Sequence, residues 1–262
     1  MTRNDKLKIY DLLKKSSDCI YGFSSPTFPR ETPNLIDDME TKAEASLADS
    51  LLEEISASEK GGQAGADFDG KREKLDRLAK KIAACKRCRL CEGRTNTVPG
   101  MGVENPFVLV VGEGPGEQED LSGLPFVGPA GQLLDKMLAA IGLSRTTNCY
   151  IANIVKCRPP KNRTPLPEEA DACISFLQAQ IAVLKPKAIL AAGSTAVKNL
   201  LRTSNGVIKL HGQILDYKGI PLMTTYHPSA LLHDPRNKRT AWEDLKIFRE
   251  MLRRLNPEYE KQ

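Results

Sequence analysis

No stretch of this chain is long and apolar enough to cross a membrane. The N-terminus, MTRNDKLKIYDLLKK, puts charge where a secretory signal needs an apolar core. The sequence therefore reads as cytoplasmic, with no membrane partner. Its seven cysteines among 262 residues are too few for a disulfide scaffold, and a reducing compartment disfavours structural disulfides. No internal repeat is evident, which excludes solenoids and propellers. The glycine-rich segment VVGEGPGEQEDLSGLPFVGPAG carries no G-K-[ST] and lacks dinucleotide spacing. Both common phosphate-binding fingerprints are thus absent.

A hydrophobic share of 40% is enough for a packed core. Charge is unevenly spread. Residues 1–74 hold 11 basic and 15 acidic side chains, against 38 and 33 in the whole chain, so residues 75–262 carry +9. A basic globular part behind an acidic leader suits a polyanion such as nucleic acid. Residues 1–70 are rich in helix breakers, as in SSPTFPRETP and SEKGGQAGADFDG, and bury little apolar surface in this reading. Two short helices fit within them, over LKIYDLLKK and METKAEASLADSLLEEIS. A mobile extension serving as tether or partner-binding arm is expected there, and a separate domain over 71–262.

From residue 71 strands and helices alternate. KREKLDRLAKKIAAC spaces Leu75, Leu78 and Ile82 on one helical face. PFVLVVG, CYIANIVK and KAILAAG read as strands, and GQILDYKGIPLMTTY as a hairpin around Lys-Gly. PAGQLLDKMLAAIGL, PEEADACISFLQAQIAVLK, STAVKNLL and KRTAWEDLKIFREMLRRL read as helices. The pattern predicts an α/β fold, a three-layer α/β/α sandwich around a mainly parallel, roughly four-stranded sheet. Ligands in such folds bind beyond the carboxyl ends of the strands.

Four thiolates hold a tetrahedral zinc or a cubane iron–sulfur cluster. Cys85 and Cys88 form a C-x-x-C. Cys157 follows the second strand, and Cys173 lies in the second long helix. Cys91 repeats the spacing, Cys149 fits a strand core, and Cys19 falls in the extension. Spacing alone leaves zinc, an iron–sulfur cluster and unliganded thiols all open.

Several separated motifs run in a recognisable order: the C-x-x-C, the GEGPGEQED and GLPFVG segments, NIVKCRPP, and HPS. Over roughly residues 75–255 the chain closely resembles the family 4, iron–sulfur uracil-DNA glycosylases. The resemblance implies hydrolysis of the N-glycosidic bond of uracil in DNA, leaving an abasic site for base excision repair. It makes Cys85, Cys88, Cys157 and Cys173 ligands of a [4Fe–4S] cluster, with zinc the second choice and Cys91 a bystander. Phe126 would stack on the extruded base, Asn153 would read it through its carboxamide, and His227 would donate to O2 as charge develops. Glu113, with the backbone of Gly112, Gly114 and Gly116, would frame the sugar and the attacking water. Glu119 and Asp120 are the alternatives for orienting that water. Gly114 departs from the alanine usual in the family.

The resemblance further casts Ser229 as a phosphate contact and Leu231 as a wedge in the base stack. Lys156, Arg158, Lys161 and Arg163 would supply positive charge beside the cluster, as phosphate contacts that make binding fall with salt. His211 and His233 read as surface histidines. No histidine stands within RPPKNRTP, so turnover is expected over covalent trapping. The rival reading is a catalytically weak damage sensor of the same fold. A monomer is the family expectation.

Overall fold

Side chains alternate along the central strands, and that alternation divides the core in two. The computed structural model describes residues 47–55 and 67–261. Its sheet comprises β1 (Met101–Gly102), β2 (Val108–Gly112), β3 (Cys149–Asn153), β4 (Ala188–Ala192), β5 (Ile214–Tyr217) and β6 (Ile220–Thr225). Val108 and Val110 of β2 join one apolar cluster, Leu109 and Val111 the other, as a two-residue period requires. In β3, Cys149 and Ile151 take the first side and Tyr150 and Ala152 the second. All residues of β2, β3 and β4 are buried, the mark of a sheet covered on both faces.

The strand order is β1-β3-β2-β4-β6-β5. Pairs β2–β3, β2–β4 and β4–β6 are parallel, so the expected four-stranded parallel centre is present. The total is six. Strand β5 returns antiparallel on β6 across Lys218 and Gly219, both at positive φ, which is the geometry of a tight hairpin. Strand β1 is a two-residue antiparallel edge on β3, too short to show a period in sequence.

Helices cover both faces: α1 (residues 47–55), α2 (Asp67–Ala83), α3 (Leu90–Gly93), α4 (Glu117–Ser122), α5 (Pro129–Ala139), α6 (Pro167–Leu184), α7 (Ser194–Leu201), α8 (Val207–Leu210), α9 (Pro228–His233) and α10 (Lys238–Leu255). Leu134 and Leu138 of α5 pack with Leu245, Phe248 and Leu252 of α10 on one side of the sheet. Leu78 and Ile82 of α2 pack with Ile174 and Leu177 of α6 on the other. Among the described residues no helix is long and apolar enough to cross a membrane.

Helix α1 corrects the reading of residues 1–70. Leu51 and Ile55 are buried in the same cluster as Leu78 and Ile82, and Arg77 bonds the carbonyl of Ile55. Its apolar stripe finds a partner in α2, so this part of the leader belongs to the core. LKIYDLLKK and Cys19 lie outside the described residues.

Candidate functional site: a base-sized cleft and a thiol cavity

Strand register assembles the first site. Gly112 and Asn153 are partners at the carboxyl ends of β2 and β3, and Ala192 pairs with Thr225 at the ends of β4 and β6. The loops beyond these four residues enclose a cleft of ≈ 840 Å³. Glu113, Gly114, Gly116, Phe126, Asn153, His227 and Ser229 all line it. Gly112 lies beneath. A Cβ there would stand 2.4 Å from Asn153 Oδ1 and 2.6 Å from Phe126 Cζ, so only glycine lets the carboxamide and the ring close over the strand end.

The Phe126 ring sits 5.6 Å from the His227 imidazole, centroid to centroid. At the imidazole, the Ser229 amide donates to Nδ1 at 3.2 Å, and the Ser229 hydroxyl lies 2.8 Å from the same nitrogen. Nδ1 therefore accepts, and the ring proton resides on Nε2. Burial pulls the His227 pKa down to about 4, against a smaller opposing pull from Glu119, so the ring is neutral near pH 7. Nε2 and Asn153 Oδ1 are both buried with no hydrogen-bond partner among the described residues. One is a donor and the other an acceptor, and buried polar atoms of this kind call for a ligand.

Several expected roles change. Ser229 directs its amide and hydroxyl at His227 and so fixes the tautomer. Glu119 accepts from the amides of Gly116, Val127 and Gly128. This removes both Glu119 as a water base and the Gly116 amide as a sugar contact. Asp120 is buried and accepts from Thr95 and Asn96, away from the cleft. Leu231, the expected wedge, is 2% exposed, because α9 turns it inward, while Leu232 is 43% exposed. Glu113 keeps a carboxylate in the cleft and takes a hydrogen bond from the Thr195 hydroxyl. Thr195 was not foreseen, although G-S-T after an apolar strand marks a helix start facing the crevice.

The basic segment is also rearranged. Lys156 is buried and bonds Asn153 O at 2.8 Å and Gln180 Oε1 at 2.7 Å; it lines the thiol cavity and does not face solvent as a phosphate contact would. Arg163 pairs with Glu169 at 2.7 Å and Arg158 with Glu117 at 3.3 Å; Lys161 is exposed. His211 bonds Asp244 at 3.0 Å and packs 5.4 Å from Tyr226, so it is a partnered histidine. His233 is exposed at the rim of the cleft.

The second site gathers thiols. Cys85, Cys88, Cys157 and Cys173 line one small cavity, and Cys91 lines it too. The turn between α2 and α3 delivers the first pair, the turn after β3 delivers Cys157, and α6 delivers Cys173. Burial raises the pKa of Cys88 and Cys157, and pushes Cys173 up to about 12. Three cations share the cavity wall: Arg87, Arg94 and Lys156. Arg94 donates to Cys157 Sγ at 3.1 Å, and Arg87 lies 4.6 Å over the Phe176 ring. Among the described residues no three His, Cys, Asp or Glu side chains are spaced to hold a single metal ion. Cys149 is a core thiol on the opposite side of the sheet.

The parallel centre with a cleft at its carboxyl ends fits the sequence profile of the Uracil DNA glycosylase superfamily, which matches residues 99–246. That match defines the class. A type-4 uracil-DNA glycosylase from Archaeoglobus fulgidus is 37% identical over 193 residues, which are 71% of this chain and 96% of the relative. The type-4 enzyme of Thermotoga maritima is 40% identical over 186 residues, 70% and 96% of the two chains. That of Pyrobaculum aerophilum is 41% identical over 182 residues, 66% and 92%. The chain belongs to the type-4 uracil-DNA glycosylase family.

Proposed function

We propose that the cleft hydrolyses the N-glycosidic bond of uracil in DNA, leaving an abasic site for base excision repair. One observation carries this reading: the buried, unpartnered acceptor Asn153 Oδ1 and donor His227 Nε2 beside the Phe126 ring. Uracil offers N3–H to an acceptor and O2 to a donor, and its flat face to an aromatic. Cytosine has no N3–H and would leave Asn153 Oδ1 unpaired, a penalty that excludes it.

The target base must first leave the duplex. Stacking on Phe126 then offsets about 1–3 kcal/mol of the unstacking cost. As the C1′–N1 bond breaks, its electron pair passes to the uracil ring and charge accumulates on O2. The Nε2–H of neutral His227 stabilises that charge as an oxyanion donor. Glu113, with one oxygen engaged by Thr195, orients water toward C1′. The water oxygen bonds the sugar carbon, and its proton passes to the carboxylate and on to the departing base.

Cys85, Cys88, Cys157 and Cys173 would hold a [4Fe–4S] cluster. These four thiols and Cys91 around one cavity, with cations at its wall, suit an anionic group spread over several metal ions better than one zinc. When bound, the cluster would supply a cross-link between α6 and the turns after α2 and β3.

Incubating the protein with an end-labelled uracil-containing oligonucleotide, then alkali, tests the activity. Strand scission at the uracil supports it; an intact strand from folded, brown protein overturns it.

A further inference from the structure

Phe126 occupies φ +53°, the left-handed region that bulky residues rarely adopt. Its conformation is held from two sides. Arg145 donates from Nη1 to Pro125 O at 2.8 Å and from Nη2 to Phe126 O at 3.0 Å. Asp135 fixes the guanidinium from behind, its Oδ1 lying 2.9 Å from Nε and 2.7 Å from Nη2. Opposite, Gly131 of α5 presses on the same peptide: a Cβ there would stand 1.8 Å from Phe126 O. The carbonyl of Phe126 is thus caught between a helix backbone and an arginine fork.

Arg145 does not itself line the cleft. Its side chain is 12% exposed, whereas that of Asp135 is 50% exposed. A mostly buried guanidinium spent on two turn carbonyls holds geometry, since planar, multiply bonded arginine gives up few alternatives.

We propose that Arg145 is the positioning residue of the stacking plate: it locks the left-handed Phe126 turn so that the ring faces an extruded base, and Asp135 holds Arg145 in place. This deepens, and rests on, the reading of the cleft as a uracil-excision site. The mechanism is conformational. Without the fork, the turn relaxes toward ordinary backbone angles and the ring swings off the base plane. Only the interaction between ring and base is lost.

A double-mutant cycle separates this from general destabilisation. Single-turnover excision of uracil from an oligonucleotide is measured for Arg145→Met, Asp135→Asn and Phe126→Ala, and for each of the first two combined with the third. Arg145→Met slows excision about 10-fold when Phe126 is present and less than about 2-fold in Phe126→Ala, as expected where two residues act through one interaction. Asp135→Asn shows the same pattern at about 3-fold, and decides the matter if Arg145→Met does not fold. Equal slowing in both backgrounds overturns the proposal. Failure of the unmutated protein to release uracil would instead overturn the function, and is read in the same assay.

Discussion

Lys156 donates from its buried ammonium to the backbone carbonyl of Asn153 at 2.8 Å. The same side chain forms part of the thiol cavity wall, so one amine touches both sites. Its second partner, Gln180, reaches on to the carbonyl of Pro99 at 2.7 Å. Lys156→Met keeps the volume and removes the donor, leaving two buried acceptors unpaired. Each costs about 1–3 kcal/mol. A lower chemical-denaturation midpoint is expected, together with slower single-turnover excision as Asn153 loses its support; an unchanged midpoint would contradict the assignment.

Asn153→Asp keeps the shape of the base-reading group but removes its donor and buries a charge. Excision of uracil should fall about 100-fold or more, because an unpaired buried polar contact is penalised heavily. Thermal melting and rate, measured on the same preparation, distinguish loss of recognition from loss of fold.

Gly112→Ala forces a methyl group into contact with both Asn153 Oδ1 and Phe126 Cζ. Overpacking of this kind costs about 1–3 kcal/mol, and the two groups displaced are those proposed to hold the base. The rate should fall further than the stability alone explains. Titrating free uracil as a competitor reports the damage directly.

The acid limb of activity should lie far below the ordinary histidine range. Burial holds His227 near pKa 4 in the folded protein, from 6.5. The unfolded chain therefore binds a proton below about pH 6.5 that the folded chain refuses until about pH 4. The His227 contribution to stability is complete above the higher value and is lost as pH falls through this window. The neutral donor persists throughout, so excision shows no inflection from His227 near pH 6.5. Rates and melting midpoints from pH 8 to 4 check both statements, with His227→Gln as the reference.

Cys173→Ser should remove the brown absorbance and lower the melting midpoint, since α6 then loses its share of the cross-link. Iron analysis accompanies the spectra. A variant that is colourless yet equally stable and fully active would refute the proposed structural role of the thiol cavity.

Much of the fold was legible because its signals are local. Apolar runs ending in glycine gave β2 and β4, and prolines marked the starts of α5 and α6. Strand β1 escaped since two residues show no period. Helix α1 falls within the helix expected over METKAEASLADSLLEEIS, but its burial was not legible, because the value of its apolar stripe depends on α2. At the site, Phe126, Asn153 and His227, each from a different motif, line one cleft. What sequence could not give was direction: whether Ser229 faces solvent or His227, whether Lys156 points outward, and which of Leu231 and Leu232 turns inward. Side-chain orientation depends on helix phase and on partners distant in the chain. Arg145, placed between a helix and a strand, carried no motif at all.

The seat of α1 has a practical bearing on how the protein should be handled. A gene cut to residues 71–262 would discard Leu51 and Ile55, which pack in one cluster with Leu78 and Ile82. The face of α2 that bears Leu78 and Ile82 would then lie bare, inviting clumping during purification. Shortened versions meant for crystals or screening should begin upstream of residue 47.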